Sequence, residues 1–147
     1  MAVRFHTQGI HFELQKKNPH KSWLKNCIEA HARVPGSINF IFTSNPLLRE
    51  MNQKYLKHDY HTDVISFNYS EGDQISGDVF ISIDQVHINA KIFNEHFDHE
   101  LRRVMVHGVL HLIGFDDGKK SEKQLMRKLE NDALHLWLKE EDYDSGI

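Results

Sequence analysis

His107 and His111 stand four residues apart in the stretch HGVLHLIGFDD, within an apolar run that patterns as a buried helix through Leu101, Val104, Met105, Gly108 and Leu112. On a helix, residues i and i+4 differ by about 40° around the axis and roughly 6 Å along it, so both imidazoles share one face. Two neutral ring nitrogens held this way can converge on a metal ion. Gly114 suits the end of the helix, because glycine takes a left-handed conformation at little cost. The chain can then bring Asp116 or Asp117 back toward the same face. Three protein ligands with an open fourth position make a zinc-type hydrolytic site, in which bound water loses a proton near neutral pH. The plain structural alternative is a pair of helix-face histidines followed by a glycine-stopped turn.

Such a pair needs a scaffold, and the rest of the chain supplies one. VRF and IHFEL alternate like one or two short strands around Gly9. After Asn18-Pro19, helical spacing of Trp23, Leu24, Cys27, Ile28 and His31 predicts a helix that Pro35-Gly36 ends. SINFIFTS alternates as a strand, and NPLLREMNQKYLK returns to helical spacing with Asn45 as cap and Pro46 at the first helical position. DVISFNYS and GDVFISI are β-branched and aromatic-rich strands. From Asp84 the pattern is helical, with breaks near Glu95-His96 and at Gly114. This order predicts an α+β fold, a small mixed β-sheet of about four strands covered by several helices, in one layered domain spanning 1–147.

Composition sets the outer bounds. The chain has 147 residues, 39% hydrophobic and 27% charged, a balance that can build a core and excludes disordered and fibrous classes. The single cysteine, Cys27, has neither a disulfide partner nor a CxxC pair, which favours a reducing compartment. No apolar run approaches the roughly 20 residues of a membrane-spanning helix, and MAVRFHTQGIHF lacks signal-peptide order, so the expectation is a cytoplasmic protein without membrane contact. A net charge of −3 argues against general affinity for polyanions, so any nucleic-acid contact must be local. Arg102 and Arg103 precede His107 by about a turn, Lys119, Lys120 and Lys123 follow Asp117, and Lys16, Lys17, Lys21 and Lys25 mark the first helix. Charge runs on helices are usually solvated faces, and the arginine pair is the stronger candidate for a phosphate contact.

HGVLHLIGFDD, with DYHTDVISF and GDVFISI upstream, resembles the YbeY family of metal-dependent endoribonucleases of ribosomal RNA maturation. The family signature H-G-x-L-H-L-x-G-Y-D-H is matched by His107, Gly108, Leu110, His111, Leu112, Gly114 and Asp116, with Phe115 a mild change. The resemblance runs from about Ile38 to the last helix, where Met126 and Glu130 fit the family's M-x-x-x-E. The third histidine of the signature falls at Asp117, so the implied ligands are His107, His111 and Asp117. The resemblance implies zinc, one ion per chain, which such a set can bind, with more tolerance than three imidazoles of manganese, iron or nickel. The family's Y-R-x-x-D-x-P-T-D/N-V segment reads YLKHDYHTDV here, with Leu56 at the arginine and His61 at the proline. Thr62 and Asp63 do match, and with His107 they form the implied catalytic set. Lys57, Arg102 and Arg103 are the candidate RNA contacts, with His58 and His61 beside Lys57.

The implied function is single-strand-specific hydrolysis of RNA phosphodiester bonds in ribosomal RNA maturation and ribosome quality control. The implied partners are ribosomal RNA and the ribosome or its proteins. A zinc hydrolase of another substrate, such as a peptide, is one competitor, and a non-catalytic ribosome-associated RNA-binding factor with a structural metal is another. Position 108 weighs against a peptidase: helix-borne zinc peptidases carry HExxH, with glutamate as the general base where this chain has glycine. An iron oxygenase is more distant, because its two histidines and carboxylate usually sit on barrel strands.

Overall fold

Alternation along Val34–Thr43 turns Ile38, Phe40 and Phe42 to one side of a strand, and all three are buried. This strand, β2, pairs in parallel with β1 (Ala2–Thr7) on one side and with β4 (Gln74–Ser82) on the other. β3 (Val64–Asn68) joins antiparallel to β4, so the mixed four-stranded sheet runs β1-β2-β4-β3 with β3 at an edge. The register aligns Val3 with Ile38, Phe5 with Phe40, Phe40 with Val79 and Val64 with Ile81, which makes one continuous apolar face. The structure, a computed structural model, describes residues 2–56 and 62–145, with 138–145 described by backbone alone.

Five helices complete the described fold: α1 (Lys17–Glu29), α2 (Asn45–Leu56), α3 (Ile83–Ile92), α4 (Phe97–Ile113) and α5 (Lys120–Ser145). α4 is the spine, touching β3, β4, α1, α3 and α5. α1 closes on α5, where the Trp23 indole donates to the Ala133 carbonyl at 2.7 Å and packs edge-on to Trp137. On the opposite side of the sheet, Tyr55 of α2 meets Phe67, which alternation points away from α4.

Three local expectations differ from this fold. IHFEL is not a strand, and β1 alone forms the amino-terminal part of the sheet. α1 stops at Glu29, with Ala32 left-handed at φ 57, and Pro35-Gly36 belongs to β2. There the β2–β4 register shifts between Pro35 and Ile38, and a Cβ on Gly36 would sit 2.8 Å from the Ile75 carbonyl oxygen. The pair therefore serves a strand irregularity and a close approach rather than a helix stop. At α2 the capping side chain is Ser44, one residue before Asn45, its hydroxyl accepting from the Leu47 amide at 3.4 Å.

Candidate metal centre

α4 lies unusually close to the sheet at Gly108. A Cβ there would fall 2.5 Å from Val79 Cγ1 and 3.1 Å from Ser66 Oγ, so only glycine fits without displacement. Two strand side chains bond the helix backbone across this contact: Ser66 Oγ donates to the Gly108 carbonyl at 3.0 Å and Asn68 Nδ2 to the Leu112 carbonyl at 3.1 Å. The next face of α4 carries His107 and His111, half-buried, beside the start of β3. Gly114 ends the helix at φ 120, its amide shared between the Leu110 and His111 carbonyls. This turn brings Asp117 back to the imidazoles, while Asp116 stays exposed.

The three ligand atoms form a compact triangle. His107 Nε2 and His111 Nε2 are 3.0 Å apart, and Asp117 Oδ2 lies 3.2 Å from the first and 3.6 Å from the second. A tetrahedral ion with bonds of about 2.0–2.1 Å separates its ligands by about 3.3 Å, so the triangle has the dimensions of one face of such a site. Two imidazoles and a carboxylate are also the donor types that zinc and its neighbours take. No fourth His, Cys, Asp or Glu among the described residues joins them.

Behind His107 stands a buried support. Its Nδ1 lies 2.7 Å from Glu130 Oε2, and an ionised carboxylate can only accept, so the ring donates from Nδ1 and turns Nε2 toward Asp117. Glu130 is 5% exposed, and its other oxygen takes Arg103 Nη1 at 3.1 Å and faces Arg127 at 3.5 Å. Burial alone would lower the His107 pKa, but the Glu130 hydrogen bond and charge, helped by Asp63 and Asp117, raise it above the ordinary histidine value. Burial pushes the Glu130 carboxyl upward, and its bonds to His107 and Arg103 outweigh this and hold it low. Glu100 contacts Arg103 from the other side at 3.8 Å, and burial pushes its carboxyl up to about 7. Glu130 is therefore the fully charged partner of Arg103 near neutrality.

Thr62 and Asp63 line the same cleft as His107, His111 and Asp117, a space of about 510 Å³ at the open side of the ligand triangle. The Thr62 hydroxyl donates to the Val64 carbonyl at 3.3 Å, and Asp63 Oδ2 accepts from Asn89 Nδ2 at 3.1 Å. Burial pushes the Asp63 carboxyl above the usual carboxylate range against the pull of His107. The two arginine candidates do not line this cleft. Arg103 is committed to Glu130, Glu100 and Asn131, and Arg102 lies over the Trp137 ring at 4.3 Å, in a cavity with His20 and Asp98. Lys57, His58 and His61 lie outside the described residues. In the sequence Glu130 stands out only as half of M-x-x-x-E, and its burial against His107 gives that spacing a physical meaning.

The profile of the family described as "Endoribonuclease YbeY" matches residues 5–137. The chain belongs to the YbeY endoribonuclease family. An endoribonuclease YbeY of Bacteroides thetaiotaomicron is 42% identical over 136 residues, covering 92% of this chain and 99% of the relative. One from Flavobacterium psychrophilum is 44% identical over 128 residues, covering 87% and 91%. The solution structure of a Thermotoga maritima protein superposes with a TM-score of 0.65 at 25% identity, over 97% of this chain and 93% of that one. Within the YbeY frame, Asp117 stands where the family signature quoted above has its third histidine, and the structure holds its carboxylate against both imidazoles.

Proposed function

We propose that this chain is a metal-dependent endoribonuclease that hydrolyses single-stranded RNA during ribosomal RNA maturation and ribosome quality control in the cytoplasm. The whole chain, 1–147, acts as one hydrolase domain, with ribosomal RNA and the ribosome or its proteins as partners. One observation carries the reading: three convergent ligands open onto a cleft large enough for a nucleotide, rather than being closed by a fourth protein ligand among the described residues. Zinc is the first candidate, with manganese, iron and nickel next. An ion bound there would polarise the scissile phosphate and lower the pKa of a water beside it.

The chain's own residues do the rest. Glu130, braced by Arg103, fixes the His107 ring so that its Nε2 faces the cleft. Asp63, its carboxyl raised by burial and so a stronger base than an ordinary carboxylate, is placed to take a proton from attacking water, and Thr62 positions the strand entrance through Val64. Gly108 disfavours a peptidase on steric grounds, since Val79 and Ser66 occupy the space where a side chain at that position would begin. Among the described arginines considered for RNA, Arg103 acts through Glu130.

The test is incubation of metal-loaded protein with labelled ribosomal RNA fragments and, separately, with an unstructured protein substrate, with and without chelator. The expected outcome is RNA cleavage that chelator stops and that His111→Ala abolishes, with metal content of about one ion per chain in the wild type and less in the variant. Intact RNA would reject the reading, and cleavage of the protein substrate would replace it with a peptidase.

A further inference from the structure

Of the described residues lining the metal cleft, Lys123 is the one lysine or arginine. Its placement follows from helix periodicity. Met126 and Glu130 follow it by three and seven residues, so all three share one face of α5. That face is fixed against α4, because Met126 is buried and Glu130 bonds His107. The two helices run antiparallel, with Trp137 beside Arg102 and Asn131 beside Arg103. Moving two turns back along α5 from Glu130 therefore leads toward His111 and Asp117, where Lys123 meets the cleft. Its amide donates to the Lys119 carbonyl at 2.9 Å, so the first turn is regular, and the side chain forms no ion pair with a described residue.

We propose that Lys123 is a catalytic residue whose ammonium holds a non-bridging oxygen of the scissile phosphate. This rests on the ribonuclease reading above. In the reaction, the oxygen of water bonds to phosphorus as the bond to the leaving ribose oxygen breaks, and a proton from water ends on that oxygen. Lys123 neither gives nor takes a proton. Charge builds on the non-bridging oxygens in the transition state, and a cation beside them, here the exposed Lys123 ammonium at the rim of the cleft, stabilises that state more than bound substrate. Asp63 and Asp117 line the same cleft, so a cation there offsets part of the carboxylate charge that a phosphate meets.

The experiment compares wild type, Lys123→Gln, Lys123→Arg and the exposed-helix control Lys128→Gln, all metal-loaded, in cleavage of a labelled single-stranded RNA. Binding of the same RNA to chelator-treated protein is followed across salt concentrations. The expected result for Lys123→Gln is a fall in kcat/KM of about tenfold to a hundredfold, mostly in kcat, with metal content unchanged. Its log–log salt slope for binding falls in magnitude by about 0.7, the value of one phosphate contact on a single strand. Lys123→Arg retains most of both, and Lys128→Gln behaves as wild type. Lys123→Gln cleaving as wild type, or losing no more than Lys128→Gln, overturns the proposal. If the wild type leaves RNA intact, the ribonuclease reading falls by itself, and Lys123 is judged on binding, where an unchanged salt slope overturns it.

Discussion

At the scale of single residues, the candidate metal centre depends as much on what stands behind His107 as on the three convergent side chains. The Glu130 carboxylate fixes one tautomer, and Arg103 keeps that carboxylate charged and in place at 3.1 Å. Glu130→Gln keeps the size and can still accept from Nδ1, but it removes the charge that makes the ring a better donor to a metal. Its divalent-metal affinity should fall about tenfold to a hundredfold, measured by competition with a chelator of known strength. An unchanged affinity would reduce Glu130 to a packing residue. That His107 and His111 share one face was legible from spacing alone, because i and i+4 on a helix need no tertiary information. Glu130 was not, since its meeting with His107 depends on how α5 crosses α4, twenty-three positions on. Arg103 shows the same limit: residue type marks a cation, and only packing shows that its charge is already used.

At the scale of elements, the tight seat of α4 on the sheet positions both histidines. Gly108→Ala puts a methyl group 2.5 Å from Val79 Cγ1, in a core where Val79 is fully buried. The helix or the strand must shift, at a cost of about 1–3 kcal/mol. Urea unfolding should show that loss as a lower midpoint at an unchanged m value. A midpoint equal to wild type would mean that the contact yields freely. The succession of strands and helices was readable because period-2 and period-3.6 patterns differ over short windows. Pro35-Gly36 misled for a physical reason: both residues break helices and also serve strand irregularities, and only the register with Ile75 distinguishes the two. Asn45 and Ser44 are both competent caps, and one residue of difference is beyond what composition decides.

At the scale of the whole molecule, the site joins α4 to the segment that follows Gly114, and α4 in turn touches β3, β4 and three other helices. An ion that binds only when His107, His111 and Asp117 converge therefore stabilises the cooperative unit rather than one turn of chain. With free metal at about a hundred times its dissociation constant, the gain is about 2.7 kcal/mol. For a chain of this length each kcal/mol moves Tm by roughly 2–4 °C, so metal-loaded protein should melt about 5–10 °C above chelator-treated protein. Asp117→Ala removes the ligand that ties the post-Gly114 segment to the helix. At the same metal concentration its melting gain should shrink to a small part of the wild-type value, while its chelator-treated Tm stays near that of chelated wild type, because the Asp117 side chain is only half-buried. Calorimetry in matched buffers reads both quantities. Equal melting with and without metal in the wild type would show that the three donors do not act as one site, however well their spacing fits a tetrahedral face.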